Sequence, residues 1–235
     1  MLILHHSSSL ISGHSNNDNW NESILWFASA IVQAFQISPN LTQIGLLKSS
    51  DEADIIFHLY NYTDTDSILE ALQKVDIDVG DSSIAGALQA ARTEMFVEER
   101  GARADVRRLI FLITDDTTNI DNERTQTEAQ LTRDAGIEVF TVAVTSEVDK
   151  QQLEMIVSYP PESHFYYVSD FQMLNLVVRN LTQNACLPRV TITTTPTITT
   201  TTATSPITVT AAHTTTKTTL TTTSLKGRNF SSIYE

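Results

Sequence analysis

The order of apolar and polar positions divides the first 180 or so residues into alternating short apolar runs and amphipathic helices. Leu2 to Leu4 reads as the stub of a strand. Trp20, Ile24, Phe27, Ala28, Ile31, Val32 and Phe35 then recur at the spacing of one helical face. Two strand-like runs follow with no helix between them, Gln43 to Leu47 and Asp54 to Leu59, joined by the polar Lys48 to Glu52 at hairpin length. Thr63, with Asp66 three residues on, predicts the cap of a helix whose apolar face is Ile68, Leu69, Leu72 and Val75. A further helix is expected from about Ser83 to Phe96.

Leu109 to Thr114 is a continuous apolar run ending in Asp115 and Asp116, the pattern of a central parallel strand covered by helices on both faces. Thr125 to Ala135 predicts a helix stopped by Gly136. Ile137 to Val144 is the next buried strand, Asp149 to Val157 a short helix, Phe165 to Val168 the last strand and Phe171 to Leu181 the last helix. This order predicts a doubly wound α/β domain, with a mostly parallel sheet and one antiparallel edge strand. In such folds ligands bind at the carboxyl ends of the central strands. That directs attention to His5 to Ser9 and to Asp115 to Asn119.

After Pro188 the pattern stops. Twenty threonines fall between Thr191 and Thr223, punctuated by Pro196 and Pro206. The expected organisation is a globular domain over residues 1–187 and a disordered, low-complexity, mucin-like tail over 188–235. Charge follows the same division. The first 188 residues hold 11 basic and 27 acidic side chains (11 − 27 = −16), and the rest hold 4 and 1 (4 − 1 = +3), summing to the net −13. An acidic body of this kind repels a phosphate backbone, which excludes nucleic acid as a partner. No apolar run reaches the ~18 residues of a membrane span. The closest glycines are Gly80 and Gly86, so no phosphate-binding glycine loop and no G-x-S-x-G elbow exists.

Five N-x-S/T sequons, at Asn21, Asn40, Asn61, Asn180 and Asn229, and the Thr-rich tract point to an extracellular, secreted glycoprotein. Only Leu2, Ile3 and Leu4 are apolar before His5 and His6, too short for a signal-peptide core. The chain is therefore expected to be a fragment, truncated at its amino end, of a longer protein. Cys186, the single cysteine, is expected to pair with a partner absent from this chain.

Ser7 and Ser9 follow the first strand at alternate positions, Ser82 and Ser83 open the third helix, and Asp115 ends the strand from Leu109. Hydroxyls and a carboxylate from three loops at one sheet edge could form an oxygen-rich site for a hard cation such as Mg²⁺. The alternative is that these serines cap helices and turns and Asp115 caps its own loop.

Several stretches carry a family resemblance. Thr42-Gln43-Ile44-Gly45-Leu46-Leu47, Asp81-Ser82-Ser83-Ile84-Ala85-Gly86-Ala87-Leu88-Gln89-Ala90-Ala91 and Arg107-Arg108-Leu109-Ile110-Phe111-Leu112-Ile113-Thr114-Asp115 resemble the von Willebrand factor A domain. So do Ala135-Gly136-Ile137-Glu138-Val139-Phe140-Thr141-Val142-Ala143-Val144 and His164 to Phe171. The resemblance runs in order over about residues 2 to 185. It implies the A domains of matrilins, non-fibrillar collagens and integrins, and a metal-ion-dependent adhesion site built from a D-x-S-x-S loop, a Thr and an Asp. By position, Ser7 and Ser9 match the two serines, Ser82 stands where the Thr usually is, and Asp115 matches the Asp. His5 stands in place of the first Asp, and Asp116 in place of the following Gly. The resemblance thus implies a Mg²⁺ or Mn²⁺ site, degenerate at His5, that captures an acidic residue of an extracellular matrix or cell-surface protein.

The competing expectations are a structural spacer that binds no metal and a hydrolase using His5 or His6 with Ser7 to Ser9. The hydrolase lacks any specific orienting acid or oxyanion hole. His58 and His164 are expected to be ordinary strand residues. Trp20 and Trp26 are expected to pack in the core, and Arg103, Arg107 and Arg108 to form a solvated edge.

Overall fold

In a computed structural model, the chain divides into two compact units, Met1–Ala185 and Cys186–Glu235. The structure describes residues 1–5, 17–49, 53–76, 83–114, 122–144, 148–168, 173–186, 190–198 and 214–222. In the first unit the order is β1 (Leu2–His5), α1 (Asn17–Gln33), β2 (Leu46–Ser49), β3 (Asp54–Phe57), α2 (Thr65–Leu72) and α3 (Ile84–Ala90). It continues with β4 (Arg108–Thr114), α4 (Asn122–Asp134), β5 (Ile137–Val144), α5 (Lys150–Ile156), β6 (Phe165–Val168) and α6 (Leu174–Cys186). The six strands form one sheet in the order β3-β2-β1-β4-β5-β6, and only the β2–β3 pair is antiparallel. This is the predicted doubly wound sheet with one antiparallel edge.

Side-chain alternation explains the two cores. Leu2, Leu4, Phe111, Ile113, Phe140 and Val142 point to one face, where α1, α2 and α6 cover them. Ile3, Ile110, Leu112, Val139 and Ala143 point to the other, under α3, α4 and α5. Period-2 strands buried on both sides must read as unbroken apolar runs, as β4 and β5 do. The α1 stripe buries Ile24, Phe27, Ala28, Ile31 and Val32, but Trp26 lies off it and is 48% exposed. The expectation that Trp26 packs in the core is wrong, because one residue before Phe27 is a 100° turn away from the buried stripe. The side chain of Trp20 lies outside the described residues.

Helix ends follow local chemistry. The cap of α2 is Asp64 rather than Thr63. Its carboxylate accepts from the Ser67 backbone N–H at 2.9 Å, and these bonds hold its carboxyl below the usual carboxylate range. Asp149 caps α5 in the same way, accepting from Gln152 N at 3.2 Å. The helix from Ser83 continues past α3 as a π-helical turn, Ala91–Met95, so the predicted span to Phe96 is made of two helix types. Gly136 ends α4 at φ +74°, a conformation that glycine adopts without steric cost.

The arginines expected as a solvated edge instead tie the loops together. Arg107 donates to Glu138 and to the Ala185 carbonyl, Arg108 to the Ala135 carbonyl at 2.6 Å, and Arg103 to the Pro39 carbonyl at 3.1 Å. His164 is buried just before β6, its ring 4.4 Å from that of Phe140. His58 follows β3 and stacks on Tyr60 at 5.8 Å. In the second unit β7 (Val190–Ile198) and β8 (Thr214–Thr222) pair antiparallel, Val190 opposite Thr222. Threonine favours extended backbone, and an isolated two-stranded ribbon is marginal in water.

Phe140 is fully buried and its ring centroid lies 5.4 Å from that of Phe111. Phe140→Ala is expected to cost about 3–5 kcal/mol, read as a fall in the denaturation midpoint.

Candidate functional site

Strand order reverses between β1 and β4, and in doubly wound sheets this switch point opens a crevice at the carboxyl ends. The register aligns three strand ends there, with His5 opposite Ser49 on one side and Thr114 on the other. His5 and Thr114 are both buried, with His5 Nδ1 2.9 Å from Thr114 Oγ1. Ser49 donates its hydroxyl to the Ser83 carbonyl at 3.1 Å, bringing the first turn of α3 to the same row. Ser83 Oγ accepts from the Gly86 N–H at 3.0 Å and is the helix cap. One of the two serines opening α3 is thus occupied by capping.

The predicted metal ligands Ser7, Ser9, Ser82 and Asp115 lie outside the described residues, as do Asp81 and Asp116. In the chain, Ser7 and Ser9 come two and four residues after His5, Ser82 directly precedes Ser83, and Asp115 directly follows Thr114. Each of the three segments therefore begins or ends at the His5–Thr114–Ser83 row. Among the described residues no group of three or more His, Cys, Asp or Glu side chains is placed to hold a metal ion.

Hydroxyl and carboxylate oxygens, the donors expected here from the sequence, suit a hard divalent cation. His5 is an imidazole, which suits softer metals, and its Nδ1 already engages Thr114. Further along this edge Lys150 Nζ sits 3.5 Å above the Tyr167 ring, a cation at the rim beyond β5. The sequence pattern points to the strand ends. It contains no sign of the His5–Thr114 and Ser49–Ser83 bonds, which depend on strand register.

Of the sequons, Asn40 and Asn61 lie on exposed loops, while Asn21 and Asn180 lie in α1 and α6 and Asn229 lies outside the described residues. The Cys186 thiol is exposed at the end of α6. No helix among the described residues is long and apolar enough to cross a membrane.

Comparison with known proteins agrees with the fold. The chain is 29% identical over 188 residues to the transmembrane cell adhesion receptor mua-3 of Caenorhabditis elegans, covering 79% of this chain and 5% of that protein. It is 26% identical over 182 residues to integrin alpha-1 of Gallus gallus, covering 73% of this chain and 63% of the integrin sequence. Among solved structures, proximal thread matrix protein 1 from the mussel byssus, with a zinc-occupied MIDAS motif, superposes with a TM-score of 0.69 at 26% identity. That match covers 79% of this chain and 44% of the mussel chain, so this chain spans less than two thirds of each of these proteins. The family model for the von Willebrand factor type A domain matches residues 1–180, and the chain belongs to that family.

Proposed function

We propose that the first unit is a non-enzymatic, extracellular adhesion module that binds an extracellular matrix or cell-surface protein at the carboxyl edge of β1 and β4. The observation that carries this reading is the row His5–Thr114–Ser83 at the switch point, from which the segments bearing Ser7, Ser9, Ser82 and Asp115 extend. Relatives that include a cell adhesion receptor and an integrin, and a mussel matrix protein with a zinc-occupied MIDAS motif, support it.

Asp115 brings the carboxylate to this edge, and Ser7, Ser9 and Ser82 bring neutral oxygens. Bound there, Mg²⁺ or Mn²⁺ supplies an open coordination position for a partner's acidic side chain. His5 bonds Thr114 through Nδ1 and stands where the full motif has a carboxylate, so the site holds one fewer carboxylate than that motif. Divalent affinity is correspondingly weak. That substitution also favours a second reading, a structural spacer that binds no metal. In either case the Thr-rich residues 188–235 act as an O-glycosylated stalk, and Cys186 pairs with a cysteine outside this chain.

Calorimetric titration with Mn²⁺ decides between the readings. The adhesion reading expects saturable heat and a rise in melting temperature, both lost in Asp115→Ala while the apo melting temperature stays within a few degrees. No heat in the unsubstituted protein leaves the spacer. His5→Asp restores the missing carboxylate, which can accept from the Thr114 hydroxyl, and is expected to tighten Mg²⁺ or Mn²⁺ about tenfold or more, ~1.4 kcal/mol. Equal affinity in the two proteins would show that position 5 does not face the metal.

A further inference from the structure

The two loop sequons lie at the opposite end of the sheet from the adhesion segments. Asn40 is in the 38–42 loop that leads into β2, and Asn61 follows the end of β3, where Phe57 pairs with Leu46 at the start of β2. Arg103 donates to the Pro39 carbonyl at 3.1 Å and to the Leu41 carbonyl, and fixes the first loop. Gly101, at φ +95°, packs so closely on the second that a Cβ there would lie 2.9 Å from Tyr60 N. Loops 38–42, 58–61 and 101–107 therefore form one pole, about 20 Å from the other by the length of β4.

Three large apolar side chains are exposed at this pole. Leu41, Tyr60 and Val106 are each between 37% and 46% exposed, and Leu41 and Tyr60 adjoin the two sequon asparagines. Both asparagine side chains face solvent. Asn61 Oδ1 accepts from the His58 N–H at 2.6 Å, which leaves Nδ2, the atom that would carry a sugar, outside that bond. The helical sequon at Asn180 differs. Its Leu181 is fully buried and its Thr182 hydroxyl donates to the Val178 carbonyl at 2.8 Å, committing two of its three residues to α6. Sequons belong on surface loops, and only Asn40 and Asn61 are on loops among the described residues.

We infer that Asn40 and Asn61 carry N-linked glycans that shield the apolar rim of Leu41, Tyr60 and Val106 and leave the adhesion pole bare. The inference rests on the extracellular reading above. In the transfer, Asn Nδ2 displaces pyrophosphate from C1 of a lipid-linked oligosaccharide. A C1–O bond breaks, a C1–N bond forms, the amide gives up one proton and the lipid pyrophosphate leaves. The product amide keeps its Oδ1 acceptor, so the His58–Asn61 turn survives modification.

The test is secretion of the full chain from animal cells behind an added signal peptide, followed by peptide mass spectrometry of glycosidase-released Asn→Asp sites. Occupancy at residues 40 and 61 is expected. Thr42→Ala and Thr63→Ala should each remove one glycan-sized step on a gel, since the loop bonds of Thr42 are made by its backbone. The double variant should aggregate several-fold more readily. Secreted, folded protein unmodified at both positions, or modified only at Asn21, Asn180 or Asn229, overturns the assignment, as does a double variant no more prone to aggregate. The Mn²⁺ thermal shift should be equal in both glycoforms. A shift that appears only in the double variant also overturns the assignment, because the glycans would then reach the adhesion pole. Its absence from both would count against the metal reading alone.

Discussion

The parallel pairing of β1 with β4 is the contact on which the rest of the structure depends. β1 is only four residues long, yet it is buried on both faces and joins the β2–β3 edge to the β4–β5–β6 half of the sheet. Leu2 and Leu4 enter one core and Ile3 the other, so one short strand contributes to both layers. The order of strands also reverses across this pair. In doubly wound sheets ligands bind at such a point, because the connections from the two strands leave towards opposite faces of the sheet.

A sheet covered by helices on both faces leaves only its two ends for polar work. At the carboxyl end, His5, Thr114, Ser49 and Ser83 bond among themselves and form a floor. At the amino end, guanidinium groups do the equivalent work on loops. Arg107 joins Glu138 to the last turn of α6, Arg108 caps the exit of α4, and Arg103 fixes the 38–42 loop. Arginine suits this task because its planar fork satisfies several carbonyls at once. The Arg107–Glu138 pair is partly buried and shared with a carbonyl. Cutting one member would leave an uncompensated charge, which costs more than the intact pair contributes.

The acidic composition and the position of the site bear on each other. A body at −16 attracts cations generally, yet a specific cation site needs carboxylates converging on one point. Around the switch point the sequence provides Asp115, with Asp81 and Asp116 nearby in the chain, and has His5 where a further carboxylate would help most. Net charge alone therefore does not make a metal site.

The strands and most helices were legible in the sequence because burial on both faces forces unbroken apolar runs in β4 and β5, and one-sided burial forces the stripe in α1. Gly136 and Asp149 marked helix ends through purely local chemistry. Trp26 was misplaced although the stripe of Ile24, Phe27, Ala28, Ile31 and Val32 already leaves it one position off the buried face. Asp64 displaced Thr63 as a cap by one residue, a shift that periodicity does not resolve. The sequence by itself determined the order of elements, the break near residue 188 and which residue types stand at the strand ends. Only the tertiary structure decided that His5 meets Thr114, that Ser49 meets Ser83, and that the arginines clamp loops instead of facing water. Those contacts join residues from 27 to 109 positions apart. Their partners are chosen by strand register and crossover, which no local pattern encodes.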